Sequence, residues 1–168
     1  MTQQINSKFR KEIEEIAHIG PTLSYCYQCG TCSGGCPSFR FTGTFNPRKI
    51  IENVLLGFKE ELLDDPMVWL CCVCHECLEN CPQGVLVSEL LMKIRELAAK
   101  RGNIPEVFKA EVDSLFKTGQ INPKNTAIDR RRVKMGLSEA PSAPIEEIRK
   151  IIEMTGLSKY KHEKKESE

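Results

Sequence analysis

Eight of the nine cysteines fall into two runs: Cys26, Cys29, Cys32 and Cys36 followed by Pro37, and Cys71, Cys74, Cys77 and Cys81 followed by Pro82. Both runs read Cys-x-x-Cys-x-x-Cys-x-x-x-Cys-Pro. Thiols this close together can form disulfides, bind metal or act as nucleophiles. The N-terminal stretch has no apolar segment of signal-peptide type, so reduced thiols and a cytoplasmic location are expected, which favours metal over a disulfide framework. Three thiolates at intervals of three residues can wrap a tight loop around three corners of an iron-sulfur cube. The fourth corner needs a ligand from elsewhere.

This spacing is the one that bacterial two-cluster ferredoxins use, in which the cysteine before the proline ligates the other cluster. It assigns Cys26, Cys29, Cys32 and Cys81 to one 4Fe-4S cluster, and Cys71, Cys74, Cys77 and Cys36 to a second. No catalytic residue is expected. Structural zinc is the alternative, but it needs only four ligands per site and gives no reason for the whole run to recur. Pro37 and Pro82 suit the first turn of a following helix. Gly30, Gly34 and Gly35 of the first run allow the backbone to approach the sulfurs closely, whereas the second run carries His75, Glu76, Glu79 and Asn80 instead. The two sites are therefore expected to differ electrostatically. Eight thiolates and two oxidised cores would take the formal charge of +1 to about −3.

The elements that hold these runs read as helices. In 168 residues one domain with extensions is expected, and no run of about eighteen apolar residues suggests a membrane span. With 24 basic and 23 acidic residues, nothing points to nucleic acid. Between the runs, Asn46-Pro47 opens a helix with an apolar stripe at Ile50, Ile51, Val54, Leu55 and Phe58, and Asp65-Pro66 repeats the start signal. Two short helices are expected there. Leu86, Leu90, Leu91, Ile94, Leu97 and Ala98 mark a helix after the second run, and Val107, Val112, Leu115 and Phe116 mark another that stops at Gly119. The segment around Phe9, Ile13, Ile16 and Ala17 and the stretch PIEEIRKIIEMTGL are also helical in pattern, while residues 120–144 read as surface loop. Nothing alternates with a strand period, so the fold class is all-α.

Other residues carry weaker signals. Cys72 belongs to neither run and is expected to be a buried small side chain rather than a spare ligand. His75 is expected at the surface beside a cluster, where it could tune that cluster or gate a proton. Trp69 is expected in the core, and His18 decides nothing. Arg130, Arg131 and Arg132 suit either an acidic partner or plain solvation.

Through YQCGTCSGGCP and WLCCVCHECLENCP the sequence resembles the C subunit of heterodisulfide reductase, the small iron-sulfur subunit of the soluble enzyme of methanogens. More widely it is similar to the α-helical ferredoxin domain of succinate dehydrogenase and fumarate reductase. The resemblance implies an α-helical ferredoxin domain with two 4Fe-4S clusters over residues 20–101, an N-terminal helix over 1–19, a helical and loop extension for partner docking over 102–157, and a disordered tail over 158–168. It implies a non-catalytic electron relay between a flavin and iron-sulfur subunit and a disulfide-reducing iron-sulfur subunit acting on the coenzyme M-coenzyme B heterodisulfide. Hydrogenase or formate dehydrogenase subunits would belong to the wider assembly. The alternatives are the same role in a related non-methanogenic complex, a free ferredoxin, and a binding domain merely stapled by its clusters.

Overall fold

The computed structural model describes residues 5, 7–16, 18–138, 141 and 143–161. Every regular element among them is helical. The chain divides into two compact units, residues 1–104 and 105–168.

The first unit starts with α1 (Ser7–Glu14), which buries Phe9 and Ile13 on one face and links Arg10 to Glu14 on another at 2.7 Å. The expectation at Ala17 lies outside the described residues. One-turn α2 (Gly20–Leu23) doubles back so tightly that a Cβ on Gly20 would stand 1.8 Å from the Glu14 carbonyl oxygen. Only glycine permits that approach. The first cysteine run contains α3 (Thr31–Gly34), and Pro37 opens α4 (Pro37–Thr42) as expected.

The linker holds more than the two expected helices. α5 (Pro47–Leu56) has Asn46 as its cap, with the side chain accepting from the Lys49 N–H at 3.1 Å. It ends at Gly57, where the Phe58 N–H reaches back to the Asn53 carbonyl, so Phe58 leaves the stripe and caps α6 (Lys59–Asp64). A 3-10 turn, Pro66–Leu70, then leads into the second run. That run contains α7 (Glu76–Glu79). Pro82 does not begin a helix, because Val85 must turn its amide back toward Cys81; α8 (Val87–Lys100) starts five residues later.

Between them α1, α5, α6 and α8 enclose a core of Phe9, Ile13, Ile51, Val54, Leu63, Leu90, Leu91 and Ile94, all buried to 2% exposure or less. Burying each of the larger side chains is worth about 1.5–3 kcal/mol. Trp69 packs against this core as expected, with Nε1 donating to the Asn103 carbonyl at 2.9 Å and the Arg95 guanidinium 4.9 Å above its ring. Cys36 and Cys77 belong to the same core at 8% exposure each. One cysteine of each run is thus rooted in the hydrophobic interior.

The second unit has α9 (Glu106–Thr118), α10 (Thr126–Lys134), α11 (Ile145–Met154) and a 3-10 turn, Leu157–Tyr160. α9 and α11 pack together, with Arg149 Nε donating to the Phe116 carbonyl at 3.1 Å. α10 corrects the expectation of an unbroken loop after Gly119. Asn125 caps it by accepting from the Ile128 N–H at 2.9 Å, but its nearly uniform polarity leaves no apolar stripe to read. Arg130, Arg131 and Arg132 lie on this helix. Of the segment expected as tail, residues 158–160 complete the 3-10 turn and residues 162–168 lie outside the described residues. No described helix is long and apolar enough to cross a membrane.

Candidate iron-sulfur centres

The two cysteine runs adopt the same backbone. Gln28 and Val73, each directly before the second cysteine, have φ of 63° and 53°; Gly30 and His75, each directly after it, have φ of 86° and 62°. Gly30 and His75 then cap α3 and α7, accepting at 2.9 Å from the Ser33 and Leu78 amides. The third cysteine of each run, Cys32 or Cys77, rides on that single turn. Left-handed backbone is costly for valine and uncommon for histidine, so the loop geometry is imposed on the second run rather than favoured by its residues. Of the glycines in the first run only Gly30 needs its freedom: Gly35 has φ of −83°, and a Cβ on Gly34 would meet nothing within 4 Å.

Around these loops are two small cavities, of about 20 and 10 Å³, each close to the space that one water-sized sphere fills. Cys26, Cys29, Cys32 and Cys81 line the first, with Gln28, Thr31 and Arg48. Cys71, Cys74, Cys77 and Cys36 line the second, with Cys72, His75 and Glu76. Each run therefore sends its last cysteine to the cavity of the other, the grouping expected from the spacing. Among the described residues no three His, Cys, Asp or Glu side chains gather tightly enough to hold a single metal ion.

Protein donors reach several sulfurs. Gln28 Nε2 donates to Cys26 Sγ at 3.4 Å, Thr31 Oγ1 lies 3.3 Å from Cys29 Sγ, and the Val85 amide donates to Cys81 Sγ at 3.3 Å. In the second cavity the Phe39 amide donates to Cys36 Sγ at 3.4 Å. Ser33, buried at 7% exposure, ties the first run to α5: its hydroxyl donates to Asn46 Oδ1 at 2.7 Å and accepts from the Arg48 amide at 3.0 Å. Nothing in the sequence marks Ser33. Its partner Asn46, visible as a helix cap, was the available signal.

Three of the thiols resist ionisation. Burial, followed by the neighbouring sulfurs of Cys71, Cys32, Cys74 and Cys36, pushes the Cys77 thiol up to about 12. Burial also raises Cys32 and Cys71, whereas the hydrogen bond from Thr31 lowers exposed Cys29. A cationic iron core supplies the charge that so crowded a set of thiolates requires, and the all-sulfur donor set fits it. Helices α3 and α7, which carry Cys32 and Cys77, pack against each other, so the two cavities adjoin at these cysteines. Cys29 and Cys74 are exposed at the outer edges.

Two expectations change. Cys72 is exposed rather than buried: it stands at the rim of the second cavity, where a hydrogen bond with the Ser38 side chain lowers its thiol. His75 is half-buried, with Nδ1 2.9 Å from the hydroxyl of buried Ser88. His18 is exposed.

Comparison with known proteins agrees with this geometry. A 4Fe-4S dicluster domain family matches residues 22–85. The chain is 37% identical over 158 residues to the C subunit of the H(2):CoB-CoM heterodisulfide,ferredoxin reductase of Methanothermobacter thermautotrophicus, covering 90% of this chain and 84% of the relative. It is 38% identical over 149 residues to the C2 subunit of the H(2)/formate:CoB-CoM heterodisulfide,ferredoxin reductase of Methanococcus maripaludis, covering 85% and 79%. It is 31% identical over 171 residues to the C iron-sulfur subunit of the CoB--CoM heterodisulfide reductase of Methanopyrus kandleri, covering 94% and 88%. The chain belongs to the family of C-type iron-sulfur subunits of heterodisulfide reductase, with a 4Fe-4S dicluster domain over residues 22–85.

Proposed function

We propose that the chain is a cytoplasmic electron-relay subunit with two 4Fe-4S clusters, one held by Cys26, Cys29, Cys32 and Cys81 and the other by Cys71, Cys74, Cys77 and Cys36. Its partners on this reading are a flavin and iron-sulfur subunit and a subunit that reduces the coenzyme M-coenzyme B heterodisulfide. The exchange of the fourth cysteine between the two cavities carries the reading. When bound, such clusters accept and release single electrons without bond rearrangement.

The protein's contribution is position. Cys32, Cys36 and Cys77 keep the inner edges of the sites within the core, while Cys29 and Cys74 bring the outer edges to the surface. Electrons can thus enter at one end and leave at the other. The first unit exposes Tyr25, Tyr27, Phe41 and Leu70, and the second unit exposes Val133, Met135 and Met154. Apolar exposure of this kind suits contacts between subunits better than a freely diffusing ferredoxin. We assign residues 105–161 to partner docking.

Anoxic co-purification with iron, sulfide and flavin analysis tests this. Two clusters per chain and a flavin-containing partner are expected. A zinc-loaded, sulfide-free chain would contradict the cofactors, and a fully loaded chain that stays monomeric in its native extract would contradict the partners.

A further inference from the structure

The shared backbone of the runs permits a position-by-position comparison of their surroundings. Before the second cysteine, Gln28 in the first run corresponds to Val73 in the second; two residues after it, Thr31 corresponds to Glu76. At the first position an amide that donates to sulfur becomes an alkyl group. At the second, a hydroxyl within hydrogen-bond distance of sulfur becomes Glu76, a lining residue of the second cavity whose exposed carboxylate accepts from Asn80 Nδ2 at 2.7 Å. Both changes act in one direction, because reduction adds negative charge, which donors stabilise and a carboxylate opposes.

An arginine stands near each site, and Arg95 favours the thiolate of Cys71. Arg48 lines the first cavity and its Nη1 lies 3.5 Å from Gln28 Oε1, so it orients the amide that donates to Cys26. Arg95 serves the second site from outside, donating to the Cys71 carbonyl at 3.1 Å while stacked on Trp69. Each site thus has one guanidinium. The Tyr27 hydroxyl adds a further hydrogen bond to Cys29 of the first site.

We infer that Gln28 and Thr31 on one side, and Val73 and Glu76 on the other, set the two centres apart in potential, so that the site of Cys26, Cys29, Cys32 and Cys81 is the more oxidising. Arg48 acts as a positioning residue through Gln28. This rests on the two-cluster reading above. With clusters bound, an electron supplied by a reduced flavin at the Cys74 edge would pass toward the Cys29 edge, with no proton or bond moving. The Cys29 edge, flanked by exposed Tyr25 and Tyr27, becomes the exit toward the electron acceptor.

The test is a redox titration of the anoxically loaded full chain followed by electron paramagnetic resonance, with iron and sulfide measured on the same sample. Two separated midpoints are expected. Gln28→Leu lowers the higher midpoint and leaves the lower one in place, while Glu76→Thr raises the lower one alone. The expected change in the reduced-to-oxidised ratio of the affected centre at fixed potential is about tenfold, which for one electron is about 59 mV. Coincident wild-type midpoints, or a Gln28→Leu shift on the lower wave or a Glu76→Thr shift on the higher, overturn the inference alone. Material that assembles one cluster or none overturns the two-cluster reading and the inference with it.

Discussion

Asn46→Ala should loosen the first site from a distance. Asn46 Oδ1 accepts twice, from the Lys49 amide at 3.1 Å as the cap of α5 and from the Ser33 hydroxyl at 2.7 Å. Losing an N-cap costs about 1 kcal/mol. Leaving a buried hydroxyl such as that of Ser33 without its acceptor costs about 1–3 kcal/mol, so the two losses together amount to about 2–4 kcal/mol. Ser33 is the residue after Cys32 and holds the amide of Arg48, so the loss falls on the loop of the first run. Where opening of that loop limits release, even 2 kcal/mol accelerates loss of its cluster about 30-fold, since 1.36 kcal/mol is tenfold in rate. The assay is the bleaching of cluster absorbance at fixed denaturant under anoxia, resolved into phases. Asn46→Ala should accelerate the phase belonging to the first centre and spare the other. Asn46→Asp, which keeps an acceptor in place, should restore most of the difference. A rate within about threefold of wild type, where 2 kcal/mol should give about 30-fold, or an equal acceleration in Asn46→Asp, would refute the reasoning.

Three further outcomes follow from particular contacts. Gly20→Ala drives a Cβ into the Glu14 backbone and should destabilise the first unit by at least the ~1–3 kcal/mol typical of overpacking, whereas Gly34→Ala, with open space around it, should be close to neutral in the same unfolding assay. Hydrogen bonds from Lys100 and then Lys93 hold the Glu96 carboxyl below its usual range. The sign of that shift makes the contribution present above the unfolded carboxyl value of about 4.3 and lost as pH falls through the lower folded value. Glu96→Gln should therefore cost at most about 1 kcal/mol at neutral pH in low salt, with the difference from wild type vanishing in acid; a gap that persists at low pH would contradict the pairing. Cys72→Ser should retain the full iron and sulfide content of the wild type, because four cysteines of the two runs already line each cavity. Loss of one cluster in that variant would make Cys72 a ligand.

The sites were legible in the sequence to the extent that metal chemistry dictates spacing. The spacing of the runs marks eight of the nine cysteines as candidate ligands, and the structure places Cys81 beside the first run and Cys36 beside the second. Strong periodicity likewise exposed α5, α8, α9 and α11. What stayed hidden was set by tertiary context. Val73 and His75 occupy left-handed backbone that their own preferences oppose, so the near-identity of the two loops cannot be read from residue types. Cys72 looks like a core residue by composition, yet its place beside Cys71 turns it outward to the rim. α10 lacks an apolar face, and only the cap at Asn125 announced it. α6 lay concealed because the stripe of α5 continues formally through Phe58, although the backbone turns at Gly57.

The most direct measurement loads four serine variants anoxically and records which resonance signal each one alters. Cys81→Ser should change the same signal as Cys29→Ser, and Cys36→Ser the same signal as Cys74→Ser. If Cys81→Ser instead altered the signal that Cys74→Ser alters, each run would hold its own cluster and the interlaced arrangement would be wrong.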